Sequence, residues 1–235
     1  MSLYSMAPFS ELKLLMKSLL FIAFSLLAGV ANAAPTEFTA SYRAYSAGLP
    51  CGKGSLSLRQ LDDGRYEYRA KGKACVLSQS LDHYSRFQLA PLQGDEYQSQ
   101  FSGWFSQRLL QGQQQDGHYA VTLNGEPLTT ELFPAATLEP TIMMYQLGHS
   151  QQSQQLSYTW GEETRDYWFE YQGSEVIDTK LGPLLTHKYQ QDHPNESRIA
   201  TLWFSPKYDG LMVQAKVSRL GVSWVNFVIN EYQSH

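Results

Sequence analysis

The stretch "EVIDTKLGPLLTHKY", Glu175 to Tyr189, gathers the side chains that come nearest to a reactive site. Glu175 and Asp178 could act as an acid–base pair, one carboxyl protonated and the other ionised. That chemistry needs one of the two buried enough to hold a raised pKa, and nothing in the local sequence supplies the burial. The simpler reading is a turn. Gly182 tolerates positive φ and Pro183 fixes its own, so Lys180-Leu181-Gly182-Pro183 makes a tight connection, and Asp178 and Thr179 can bond nearby backbone amides. No catalytic residue is assigned.

The six histidines, His83, His118, His149, His187, His193 and His235, form neither a His-x-x-x-His nor a Glu-paired motif of the zinc hydrolase kind, so no metal or cofactor is expected. His187, mid-strand near Tyr189, reads as a satisfied core or rim histidine. A Gly-x-Ser-x-Gly elbow, a phosphate loop and a dinucleotide glycine pattern are all absent from the sequence. An envelope hydrolase built on Glu175, Asp178 or His187 therefore ranks last among the functional readings.

Two other groups of residues could bind rather than react. Tyr167, Trp168, Phe169 and Tyr171 in "DYWFEY", with Trp203 in "LWF" and Trp224, put bulky aromatics on both faces of their strands. They either fill a β core or line a concave apolar groove. Lys53, Arg69, Lys71 and Lys73 make a small basic patch that would suit anionic headgroups or an acidic partner. The chain as a whole carries a net charge of −4, which argues against nucleic acid as a partner.

The elements that position these residues begin with an export signal. Lys17 precedes the apolar run "SLLFIAFSLLAG", and Ala31-Asn32-Ala33 offers small residues where a signal peptidase reads, so cleavage is expected after Ala33 and the address is the periplasm. The run is about a dozen residues, short of the roughly 20 that span a bilayer, so no transmembrane anchor is expected in the mature chain. Met1 and Met16 are both serviceable starts, which leaves residues 1–15 open as an upstream extension. Removing the first 33 of 235 residues leaves 202, and loss of Glu11, Lys13 and Lys17 takes the charge from −4 to −5. One β domain over 34–235 of that size can bury a real core.

From Glu37 onward period-two alternation rich in Tyr, Trp, Phe and Val is broken by Gly, Pro, Asn and Asp clusters. Strands are expected at about 37–46, 52–60, 65–75, 82–90, 95–103, 105–114, 117–123, 155–160, 164–171, 184–191, 197–204, 211–218 and 222–231. One short helix is expected near 139–147, with Pro140 in its first turn and Gly148 as its stop. The fold class is all-β: a single antiparallel curled sheet, barrel or half-barrel of about 12 strands, with a β-sandwich as the alternative. "GSLSLRQLDDGRYEYRAKG" reads as a hairpin closed by Leu61 and Arg65. In that register Leu58 faces Tyr68, Lys53 faces Lys73, and Cys51 meets Cys75. A disulfide there would close a loop of about 24 residues and stabilise by roughly 3 kcal/mol.

The segments "EVIDTKLG" with Glu175, Asp178, Thr179 and Gly182, then "THKY", then "WFSPKYDGLMVQAKV", resemble a family of bacterial exported proteins, domain of unknown function number 3108. "FTASYRAYSAGLPCGKGSLSL" is similar to that family's start. The resemblance implies an envelope protein of unassigned activity and transfers no catalytic residue. The leading expectation is a non-enzymatic periplasmic protein that binds an apolar or amphipathic, lipid-like ligand. The alternative is an assembly or interaction factor that docks an envelope protein.

Overall fold

The computed structural model describes residues 35–73, 80–103, 107–115, 118–128, 133–134, 138–160, 163–192, 198–219 and 222–235. The expected signal peptide, residues 1–33, and Cys75 lie outside them.

Strands β1 (Phe38–Ser46), β2 (Leu49–Gln60), β3 (Tyr66–Lys73), β4 (Ser80–Leu89), β5 (Leu92–Ser102), β6 (Gln107–Gln115) and β7 (His118–Leu123) form one meander. The two-residue β8 (Glu126–Pro127) and β9 (Phe133–Pro134) both pair with β7. Helix α1 (Pro140–Gly148) follows. A second meander then runs through β10 (Gln154–Trp160), β11 (Glu163–Thr179), β12 (Gly182–Asp192), β13 (Arg198–Ser205), β14 (Leu211–Arg219) and β15 (Val222–Ser234). A 3-10 turn, Pro206–Tyr208, joins β13 to β14.

The first and last strands zip the two meanders together, with Phe38 opposite Ser234 and Ala44 opposite Phe227. Fourteen strands thereby follow one antiparallel path from β10 through β15 and β1 to β8, with β9 beside it. Among the described residues its two ends are not paired to each other. They are nonetheless bridged, since Phe133 pairs with Tyr119 of β7 and Leu138 donates its amide to Ser157 of β10 at 2.9 Å. Four residues of chain from Pro134 to Leu138 can span at most about 14 Å.

Packing shows that the sheet is curled. Phe87 of β4 and Leu184 of β12 belong to one buried cluster with Ile142 of α1. Seven strand spacings lie between β4 and β12, which in a flat sheet would separate them by about 34 Å. The strands must wrap around the helix. Thr141, Ile142 and Met143 are consecutive and all buried, as expected of a helix enclosed on several sides. Met143 and Leu147 meet a second cluster from β10 to β14 that includes Tyr167, Phe169, Tyr189 and Phe204.

The β2–β3 hairpin has the expected register: Leu61 donates to the Arg65 carbonyl at 2.7 Å, Leu58 faces Tyr68, and Lys53 faces Lys73. Alternation assigns the faces. Phe38, Ala40, Tyr42 and Ala44 are buried on the inner face of β1, while Thr39 and Arg43 between them are exposed.

Candidate functional site

The motif residues of the opening stretch do not form a reactive pair. The turn expected across them is shorter than the sequence suggests: β11 continues to Thr179, so Glu175 and Asp178 are strand residues. Three positions apart, they project to opposite faces. Glu175 Oε1 accepts a hydrogen bond from Trp203 Nε1 at 2.6 Å and an ion pair from Lys188 Nζ at 3.2 Å. The Trp203 bond and then Lys188 hold its carboxyl below the usual range, the opposite of a general acid. Thr179 does the turn work, accepting from the Leu181 amide at 3.0 Å and donating to the Gly182 carbonyl at 2.8 Å. Gly182 takes φ +91°. Asp178 is exposed and borders an outer groove of about 910 Å³ with Arg43, Lys180 and Lys216.

The six aromatics do not share one surface. Tyr167 and Phe169 are buried against the α1 side, whereas Trp168 between them is 48% exposed. Tyr171 packs on Tyr189 and His187, and Trp203 is buried over Glu175. The Trp224 side chain lies outside the described residues. Strand alternation divides the set, so a single groove built from all six is not formed. His187 is buried, with Nδ1 2.9 Å from Ser174 Oγ and Nε2 3.2 Å from Gln151 Nε2.

The most concentrated polar chemistry lies at the other end of the chain's contacts, on the inner face beneath α1. Glu139, fully buried, is the N-cap of the helix. Its Oε1 accepts from the Ile142 amide at 2.6 Å and from the Thr141 hydroxyl, and its Oε2 lies 2.8 Å from His83 Nε2. His83 Nδ1 is 2.7 Å from Ser99 Oγ, and Ser85 Oγ is 2.6 Å from Thr141 Oγ1. Burial alone would raise the Glu139 carboxyl, but the His83 charge and the bonds from His83 and Thr141 outweigh it and leave it below the ordinary range. Its charge adds to desolvation in raising the Tyr68 and Tyr119 hydroxyls.

Ser99, His83 and Glu139 have the residue types of a nucleophile, base and orienting acid. Glu139 is committed otherwise: both of its oxygens are engaged, one of them in closing the first turn of α1. The arrangement anchors the helix inside the sheet. Sequence reasoning missed Glu139 because its partner His83 lies on β4, far away in the chain. The signal available was an acid directly before Pro140, at the positive end of a helix.

Above this cluster the inner face opens. Tyr97, Ser99 and Phe101 share the inner side of β5 by alternation, yet Phe101 is 41% exposed. Leu81 is its cross-strand partner. Phe227 lies opposite the buried Ala44 and Ala215 on the inner face and is 40% exposed. The next inner positions on β2 and β3 are Gly54 and Gly72, which pair with each other and carry no side chain.

On the outer face of β2 to β5 a groove of about 470 Å³ is lined by Lys53, Lys71, Lys73, Ser80, Asp82 and Ser102, among others. Three of the four residues of the expected basic patch line it. The fourth, Arg69, stands beside it and holds Asp82 through two bonds of 3.1 and 2.9 Å. Partial desolvation would raise the Asp82 carboxyl; Arg69 and Lys71 overcome this and lower it. Among the described residues no group of three or more His, Cys, Asp or Glu could hold a metal ion, and no helix is long and apolar enough to cross a membrane.

No family model and no curated protein matches the chain. Solved structures do. A β-barrel-like protein of domain of unknown function 1849 from Brucella abortus superposes with a TM-score of 0.60 at 9% identity, covering 86% of this chain and 98% of that one. Two weaker likenesses each have a TM-score of 0.35. A Bacteroides fragilis protein described as exported, with a YmcC-like fold, is 10% identical over 85% of this chain and 97% of that one. A Parabacteroides distasonis protein described as a lipoprotein is 11% identical over 84% and 95%. The first likeness establishes an all-β, barrel-like fold of the kind found in proteins of unknown function; membership of family 3108 remains a resemblance of motifs.

Proposed function

We propose that this is an exported, periplasmic envelope protein that holds an amphipathic, lipid-like molecule in the open upper part of its curled sheet, without covalent chemistry. The observation that carries the reading is the division of the inner face. Its lower part is dry and filled by α1, with Ile142 and Leu147 completely buried. Its upper part presents Phe101 and Phe227 inward while leaving each about two-fifths exposed. Leu49, at the β1–β2 turn, is 70% exposed. A concave apolar lining with a few polar groups at its floor, here Ser99 and His83, is the usual form of a small-molecule site. Two aromatic rings and neighbouring aliphatic groups are enough to hold an acyl chain, at about 25 cal/mol for each Å² of apolar surface removed from water.

The test is native mass spectrometry of the gently purified mature protein, with displacement of a fluorescent fatty-acid probe as the quantitative readout. Co-purified amphiphile and saturable probe binding, weakened at least tenfold by Phe101→Asp with Phe227→Asp, are the expected results. An empty protein that binds no probe, or a double variant that binds as well as the parent, sinks the reading.

A further inference from the structure

Cross-strand pairing places three cations directly opposite one another on the outer face. Arg43 of β1 faces Lys53 of β2, and Lys53 faces Lys73 of β3. The same row continues through Ser80 of β4 to Ser102 of β5. Like charges directly opposite in a sheet destabilise it, and neighbouring strands are only about 4.8 Å apart. Among the described residues Arg43, Lys53 and Lys73 have no carboxylate partner within ion-pair distance, and the one acid lining the groove, Asp82, is already taken by Arg69 and Lys71. On a chain with net charge −4, a row of uncompensated cations calls for a counter-charge from outside.

We infer that Lys53, Lys73 and Ser80, neighbours on β2, β3 and β4, are a binding site for a phosphoryl group, with Arg43 and Ser102 flanking the row on either side. The fit is chemical and spatial. The two lysine ammonium groups supply charge-assisted hydrogen bonds and the Ser80 hydroxyl a neutral donor, and three residues on successive strands about 4.8 Å apart lie within side-chain reach of one phosphate. The groove's volume of about 470 Å³ would take a phosphorylated headgroup as readily as free phosphate. The site stands on the outer face and does not depend on the lipid reading, which bears only on whether the phosphoryl group arrives on a lipid.

The experiment measures the full mature chain against inorganic phosphate, by calorimetry at constant ionic strength, and against vesicles of phosphatidylglycerol with phosphatidylcholine vesicles as the neutral control. The parent protein is expected to bind phosphate or the anionic vesicles saturably, and Lys53→Gln with Lys73→Gln to weaken that binding at least tenfold. In phosphate-free buffer the same double variant is expected to melt higher than the parent, because the opposed charges are gone. Binding of phosphate alone identifies a soluble ligand, and binding of anionic vesicles alone identifies a headgroup; either supports the site. No binding to either, equal binding by the double variant, or equal binding to the neutral vesicles overturns it. Fatty-acid probe binding in the same variant should be unchanged, which separates failure of this site from failure of the inner one.

Discussion

The two ends of α1 are fastened by the same kind of pair in opposite surroundings. At the N-terminus Glu139 meets His83 at 2.8 Å, with their side chains 1% and 6% exposed. At the C-terminus His149 meets Asp209 at 3.1 Å, with side chains 36% and 37% exposed. Attraction between charges weakens as water approaches, and so does the penalty for losing one partner. The inner end should therefore behave as a structural bolt and the outer end as a pH-responsive clasp. That difference explains how one nine-residue helix, too short to be stable in water alone, is held as a filler inside a large sheet.

Removing the bolt should have the largest effect. Glu139→Ala leaves His83 buried without its acid and strips the cap from the Ile142 amide, and breaking such a pair typically costs about 3–5 kcal/mol. Urea midpoints at pH 7 read this directly. Glu139→Gln keeps an oxygen for Ile142 and should lose less. The two also differ in acid. Because the folded Glu139 carboxyl lies below its ordinary 4.5, its contribution is complete above that pH and is lost as pH falls through the folded value. The stability gap between the parent and Glu139→Gln should thus close on acidification. A gap that persists at low pH, or an alanine variant as stable as the parent, would remove the distinction between the two ends.

The comparison also marks what could be read without coordinates. Strand positions and the β2–β3 register were legible because alternation and hairpin closure are local: Leu61 and Arg65 are four residues apart, and their pairing fixes Lys53 against Lys73. The short helix was legible from Pro140 and Gly148. The length of β11 was not, since "QGSEVIDT" has the composition of a loop. Gly173, at φ +91°, falls where the pairing of β11 with β12 shifts register between Tyr171 and Ser174, and the strand continues beyond it. The aromatic side chains announced a curled apolar interior but not which of them face it, because a one-residue change of phase exchanges the faces. The Glu139 to His83 contact is wholly tertiary. A buried acid announces itself only through partners, and here the decisive one, His83, comes from a distant strand.

A smaller loss is expected where the outer end of α1 meets the β14 turn by shape alone. A Cβ on Gly148 would lie 2.0 Å from the Gly210 carbonyl oxygen, backbone against backbone, with no side chain able to move aside. Replacing glycine by alanine in a helix ordinarily stabilises by up to about 1 kcal/mol. Here the sign should invert, and Gly148→Ala should destabilise by about 1–3 kcal/mol as the overpacked contact opens. A thermal melt decides it. A variant that melts higher would mean that the helix end is not seated on Gly210, and the clasp would then be the only thing holding it.

The clasp itself should give the smallest effect and the clearest pH signature. Partial burial would lower the His149 ring, but its bonds to Asp209 and to the Tyr145 carbonyl raise it above its ordinary 6.5; the bond to His149 holds Asp209 below its ordinary 3.8. The raised histidine stabilises fully below 6.5 and stops doing so as pH rises through its folded value. The lowered aspartate stabilises fully above 3.8 and stops as pH falls through its own. Their joint contribution is complete between those limits, around pH 5, and fades outside them as each folded value is passed. Solvent screening at this exposure keeps it under about 1 kcal/mol. His149→Gln should therefore melt below the parent at pH 5 and converge with it as pH rises through the folded histidine value, whereas the Glu139→Gln deficit rests on a parent carboxylate that stays ionised above 4.5. A His149→Gln deficit as large at pH 8 as at pH 5 would assign the histidine a packing role against Tyr145, whose ring centroid is 4.2 Å away, and leave α1 with one electrostatic fastening in place of two.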